Sequence, residues 1–139
     1  MSLDLKQIPY EDLKPRQQEG YNFQKVSAVL ADFGYVTIRL TNDWCGADFI
    51  AQHFDGISFL KVQLKGRLTF SKKYRGQELF ICFRDSNQWY LYPRDEVLEK
   101  ILSEGLLAGT ESWDKKGKYD FPYLKPGLKT MLEPYRLNT

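Results

Sequence analysis

The feature that most constrains this chain is one dipeptide, Asp55-Gly56. It is set between the apolar runs "ADFIAQHF" (47–54) and "ISFLKVQLK" (57–65). Asp-Gly between alternating hydrophobic segments is a strong hairpin signal, because glycine accepts the positive φ that a tight turn imposes. Two antiparallel strands are therefore expected here, and the turn sets their register. With Asp55 and Gly56 as turn residues, Phe54 faces Ile57 and Asp48 faces Gln63, and a symmetric four-residue loop gives the same pairs. Side chains alternate along a strand, so Leu60, Val62 and Leu64 share one face while Phe59, Lys61, Gln63 and Lys65 share the other. The first set reads as core. The second begins apolar and becomes polar toward the strand end. A half-exposed strand meeting water accounts for that alternation equally well. The facing Asp48 tilts the reading toward a site, since aspartate is depleted from strand interiors.

The flanking sequence supplies a sheet and helices around this hairpin. Residues 14–35 read as a helix, with Pro15 in its first turn, Gly34 at its end, and Phe23, Val26, Leu30 and Phe33 at helical spacing. Glu19 extends that stripe one turn upstream. A carboxylate there is explained either by the dipole at a helix start or by a role in a site. "YVTIRL" (35–40) is a strand and "TNDWCG" (41–46) a loop by composition. "ELFICFR" and "QWYLYP" pair around "DSN", and "RDEVLEKILSEG" is a helix closed by Gly105. The remaining tail has no clear period, with one short helix expected in "GLKTMLEPY". Helix, strands and helix in this order predict one α/β domain over 1–139. Its core spans about 14–104, with a mixed sheet of about five strands flanked by helices and an irregular C-terminal extension from 105.

Composition removes several classes of function. Aromatic content is 15% and charged content 27%, values of a folded chain. No apolar run reaches membrane-spanning length, so no membrane association is expected. Cys45 and Cys82 lack metal or disulfide spacing and read as buried reduced thiols of a cytoplasmic protein. His53 is the only histidine and falls by strand parity on the face opposite Asp48, which leaves no histidine-based triad or zinc cluster. No glycine-rich phosphate loop follows a strand. Net charge is only +2, but Lys61, Lys65, Arg67, Lys72, Lys73 and Arg75 form a basic run without an acid, interleaved by Phe70 and Tyr74. Such a run suits a phosphate backbone, although a solvated loop is the commoner fate of a charge run. A second basic-aromatic patch surrounds Lys115, Lys116 and Lys118.

A helix bearing an acid, then a strand, then "GADFIA" and "VQLK" strands resembles the PD-(D/E)XK nuclease superfamily, which has a restriction-endonuclease-like core. Within it the chain is most similar to the branch of group I intron homing endonucleases and resolvase-like proteins, where glutamine can replace the middle acid to give Q-x-K. The resemblance covers roughly residues 14–101 in element order. It puts Asp48 at the motif aspartate, Gln63 at the middle position, Lys65 at the motif lysine and Glu19 near the helix acid, about one turn early by its spacing from Gly34. The proline that gives the motif its name is absent, since Ala47 precedes Asp48, and Asp43 is a second-choice acid. The resemblance implies a Mg²⁺-dependent DNA endonuclease, Mn²⁺ also serving. Asp48, the Gln63 amide and the Leu64 carbonyl would be metal ligands, with Lys65 and Glu19 at the chemistry. Lys61, Arg67, Lys72, Lys73 and Arg75 would lie on DNA, and homo-oligomers, dimers or tetramers, are an expected form. The alternative is a catalytically inactive nucleic-acid-binding or assembly module on the same fold.

Overall fold

The computed structural model describes residues 2–107 and 109–137. Helix α1 (Pro15–Ala31) opens with Pro15 at its first position, and the Lys14 N–H is held by the Gln17 side chain. Val26 and Leu30 are buried on its inner side with Phe23 packed beside them. Phe33, expected to continue this stripe, is 41% exposed. The helix has already ended at Ala31, and the chain is turning toward Gly34 at φ 85°. A Cβ on Gly34 would meet the Phe54 ring at 2.7 Å, so only glycine fits there.

Five strands form the main sheet: β1 (Tyr35–Trp44), β2 (Ala47–His53), β3 (Phe59–Lys65), β5 (Leu79–Asp85) and β6 (Gln88–Pro93). Their order is β1-β2-β3-β5-β6, with β3 and β5 parallel and the other neighbours antiparallel. The fold is therefore α/β with a five-stranded mixed sheet, flanked by α1 and by helix α2 (Arg94–Ser103). The crossover from β3 to β5 carries a short strand, β4 (Thr69–Ser71), and a 3-10 turn at Lys72–Tyr74. β4 pairs with β7 (Lys118–Asp120) from the tail, and helix α3 (Pro126–Leu132) follows within the expected "GLKTMLEPY".

The β2–β3 register is the expected one: Phe49↔Val62, Ile50↔Lys61, Ala51↔Leu60 and Gln52↔Phe59. The loop has four residues rather than two, closed by the His53 N–H on the Ser58 carbonyl. Asp55 builds it, because its carboxylate accepts the Ile57 and Ser58 N–H groups and the Ser58 hydroxyl. Those bonds, the Ser58 hydroxyl first, hold its pKa below the usual carboxylate range.

The stretch read as a loop, 41–46, is mostly strand. β1 runs to Trp44, which pairs with Ala47 across a two-residue turn at Cys45-Gly46. Both turn residues have positive φ, 53° and 89°, the signs of a type I′ hairpin turn. Cys45 therefore sits at a turn tip and is exposed, which corrects its reading as a buried thiol. Cys82 is buried, and desolvation pushes its thiol pKa up.

Two cores result. Between α1 and one sheet face lie Phe49, Ala51, Val62 and Cys82, with Leu60 and Leu64 beside them, as strand parity required. On the opposite face, α2 and the tail bury Ile81, Phe83, Tyr90 and Tyr92 together with Leu107, Trp113, Phe121 and Leu128. The tail is thus packed against β5 and β6. Among the described residues no helix is long and apolar enough to cross a membrane.

Candidate functional site

At the end of the sheet where β2 begins and β3 ends, the regular ladder is broken on both sides of Asp48. On one side, β1 and β2 stay in step from Tyr35↔His53 to Arg39↔Phe49, then slip before Trp44↔Ala47. Residues 40–43 of β1 thus stand opposite Asp48 alone, a large bulge of the kind that re-aims a side chain. On the other side, the β2–β3 register stops at Phe49↔Val62, one pair short of Asp48 and Gln63. In place of a backbone bond, the Leu64 N–H donates to Asp48 Oδ2 at 2.7 Å. A carboxylate that accepts a backbone N–H is held in one orientation.

This break opens a cavity of about 580 Å³, whose walls include Glu19, Asp48, Gln63, Leu64 and Lys65. Helix α1 supplies Glu19, exposed at the mouth; β2 supplies Asp48; β3 supplies the other three. Gln63, only 7% exposed, is one of the few buried polar residues among those described. Lys65 is half-buried, and among the described residues no ion pair engages its ammonium. The backbone of Asp43 belongs to the β1 bulge, and its side chain lies outside the described residues.

The cavity also gathers residues that strand and helix patterns did not single out. Arg39 lines it from β1, its guanidinium 5.3 Å from the centre of the Phe23 ring. Two carboxylates, Glu19 and Asp48, thus share the cavity with two cations, Arg39 and Lys65. Tyr10 and Asn22 line it together, and the Asn22 amide donates to the Tyr10 hydroxyl at 2.9 Å. Arg84 lies over the Tyr10 ring at 4.7 Å and fixes that end of the lead segment. Tyr74 closes the wall over Gly46, where a Cβ would stand 2.8 Å from the ring. The signal for Arg39 was present in "YVTIRL", since it shares strand parity with Tyr35 and Thr37 on the α1 side, but its bearing on a site required knowing where β1 bulges.

The basic run is dispersed. Lys61 donates from its ammonium to the Gln77 carbonyl at 2.7 Å and lies over the Trp44 ring, and Arg75 is paired with Glu99. Lys72 lies over Trp113 and Lys73 over Tyr74. Arg67 is exposed just beyond Lys65, beside a smaller depression that also holds Arg84 and Asp85. In the tail patch, Lys115 pairs with Glu111. His53 packs edge-on against Tyr35 and at a tilt against Phe54 at the hairpin tip, and does not line the cavity.

Hard divalent cations take oxygen donors. The cavity offers two carboxylates and the Gln63 amide, and the Leu64 N–H points at Asp48. A strand residue sends its N–H and C=O to the same side, so the Leu64 carbonyl leaves toward Asp48 as well. That donor set suits Mg²⁺ or Mn²⁺. Its negative charge is low, and among the described residues no three His, Cys, Asp or Glu side chains gather where they would hold a metal.

No family model and no curated protein matches the sequence. Among solved structures, the chain is similar to a Holliday junction resolvase from the archaeal hyperthermophile Archaeoglobus fulgidus, at 16% identity and a TM-score of 0.39 over 50% of this chain and 74% of that one. It is also similar to a bacterial homing endonuclease, at 16% identity and a TM-score of 0.46 over 89% of this chain and 88% of that one.

Proposed function

We propose that residues 1–139 form one nuclease-like domain that hydrolyses DNA phosphodiesters with Mg²⁺ or Mn²⁺, acting endonucleolytically, in the cytoplasm. The observation that carries this reading is the convergence of Glu19, Asp48, Gln63, Leu64 and Lys65, from three separate elements, on one cavity beside a broken ladder. Asp48, the Gln63 amide oxygen and the Leu64 carbonyl would hold the ion, with Glu19 across the mouth. When bound, such an ion supplies Lewis acidity to the phosphate and lowers the pKa of a water. The chain's own share is positional. Asp48 is oriented by the Leu64 N–H. Lys65 would present its ammonium to the attacked phosphate or its water, and Arg39, from the α1 side, would hold a neighbouring phosphate. The low acid count favours the second reading, an inactive nucleic-acid-binding or assembly module.

Supercoiled plasmid separates the two. Nicked circles are expected with Mg²⁺ or Mn²⁺ and none with chelator. Absence of cleavage on supercoiled, linear and branched DNA, together with salt-dependent binding, would support the inactive module; absence of binding as well would remove DNA as the partner.

The contribution of the basic run is measured separately. Replacing Lys72, Lys73 and Arg75 together is expected to flatten the log–log salt dependence of DNA binding by up to about three units. Arg75 contributes least, because Glu99 already pairs with it. An unchanged slope would assign all three to a solvated surface.

A further inference from the structure

The residue after β3, Gly66, is a glycine that the fold does not require. Its φ lies outside the left-handed region, and a Cβ there would meet no atom within 4 Å. Gly34 and Gly46 differ on both counts. A glycine of this kind carries extra chain entropy into folding and adds nothing to the chain's own packing. What it offers is bare backbone, which lets a ligand come close. Its position shows which surface that serves. Gly66 lines the cavity of Asp48 and Lys65, and it also lines the smaller depression, about 190 Å³, beside Arg67. It is the one residue common to both.

The depression holds a cation set for an anion. β3 and β5 run parallel and in register as far as Lys65↔Phe83, so Gly66 and Arg84 follow side by side. The Arg84 guanidinium lies 4.7 Å from the Tyr10 ring centre, 5.8 Å from that of Tyr21 and 5.8 Å from that of Trp89. Cation–ring attraction fixes the group without occupying its N–H donors. Among the described residues no acid pairs with Arg84. An arginine held in place with a free N–H fork is preorganised for a phosphate. Arg67, next to Gly66, is exposed, and no described acid pairs with it either. The one acid lining the depression, Asp85, has the Lys129 ammonium 3.8 Å away. On the reading that DNA is the partner, whether or not it is cleaved, we propose a second phosphate subsite here. A DNA strand anchored at Lys65 leaves the cavity across the bare Gly66 backbone, and Arg84 with Arg67 holds the phosphate beyond it.

Binding of labelled duplex and branched DNA, with chelator present, reads the subsite without any cleavage. Gly66→Ala and Gly66→Val place their side chains in open space and are expected to unfold at the wild-type temperature. Both are expected to weaken DNA binding, alanine the less. Valine should cost roughly 10-fold or more, because lifting the strand forfeits a charge-assisted contact at Arg84. Arg84→Gln is expected to lower the slope of log affinity against log salt by about one unit. A residue that only props Tyr10 would not change that slope, and Tyr10 keeps its bonds to Gln18 and Asn22 in this variant. Combined, Gly66→Val and Arg84→Gln are expected not to add, since a strand already lifted from Arg84 loses little more when the arginine goes. Wild-type affinity in both Gly66 variants, an unchanged slope in Arg84→Gln, or fully additive effects each overturns the subsite while DNA remains the partner. A wild type that binds neither duplex nor branched DNA removes the partner and the subsite together.

Discussion

Lys65→Ala is expected to lower plasmid cleavage by about 10²-fold or more while DNA binding largely persists. The size follows from where the ammonium acts. A cation aimed at charge that grows only in the transition state contributes to the rate, and its removal typically costs that much. Bound DNA keeps its other phosphate contacts, so losing one cation changes the salt slope of binding by only about one unit. Position supports the assignment: Lys65 is the last residue of β3, pairs in register with Phe83, and opens into the same cavity as Asp48. Among the described residues no ion pair engages it. Lys65→Arg keeps the charge but moves it outward on a planar group, and should recover only part of the rate. Cleavage by Lys65→Ala equal to wild type would make Lys65 a polar strand residue facing water.

The parts of this fold that sequence could reveal are those with a period. β2 and β3 alternate cleanly and are joined by Asp55-Gly56, so their register, and the faces of Val62 and Gln63, are legible in the sequence alone. What broke the alternation was not. The β1 bulge lies in 40–43, where threonine, asparagine and aspartate read as loop, and the turn after it puts a cysteine at positive φ, against that residue's preference. For the candidate site, the sequence put Asp48 and Gln63 at the same end of the hairpin, but the slip of the β1–β2 ladder beside Asp48 came only from structure. The tail was illegible for another reason. β4 and β7 have three residues each and pair across nearly fifty positions of sequence, too short for either to show a period. The basic run shows the opposite failure. Adjacency in sequence suggested one patch, whereas a strand, a 3-10 turn and a connector distribute its members. Local acids and carbonyls then claim Lys61 and Arg75.

Asp48→Asn is expected to abolish metal-dependent cleavage and to weaken Mg²⁺ and Mn²⁺ binding more than Gln63→Ala does. The difference lies in charge. Asp48 contributes a full negative charge to an ion held mainly by neutral oxygens, whereas the Gln63 amide contributes only a dipole. The asparagine variant is informative because its side-chain oxygen can still accept the Leu64 N–H, so the local fold is retained and a lost ion is not a lost structure. Asp48→Ala would instead leave that N–H without its acceptor. Gln63→Ala removes one oxygen donor, and its activity should be partly restored by raising metal concentration. Gln63→Glu keeps the shape and adds the charge that the acid-poor cavity lacks. It is expected to bind metal at least as tightly as wild type and to retain cleavage. Calorimetric titration of each variant, run beside plasmid cleavage across a Mg²⁺ and Mn²⁺ series, reads both quantities. Equal metal affinity in wild type and Asp48→Asn would place the ion elsewhere. Wild-type cleavage by both Asp48→Asn and Gln63→Ala would leave Asp48 as the acceptor of the Leu64 N–H and nothing more.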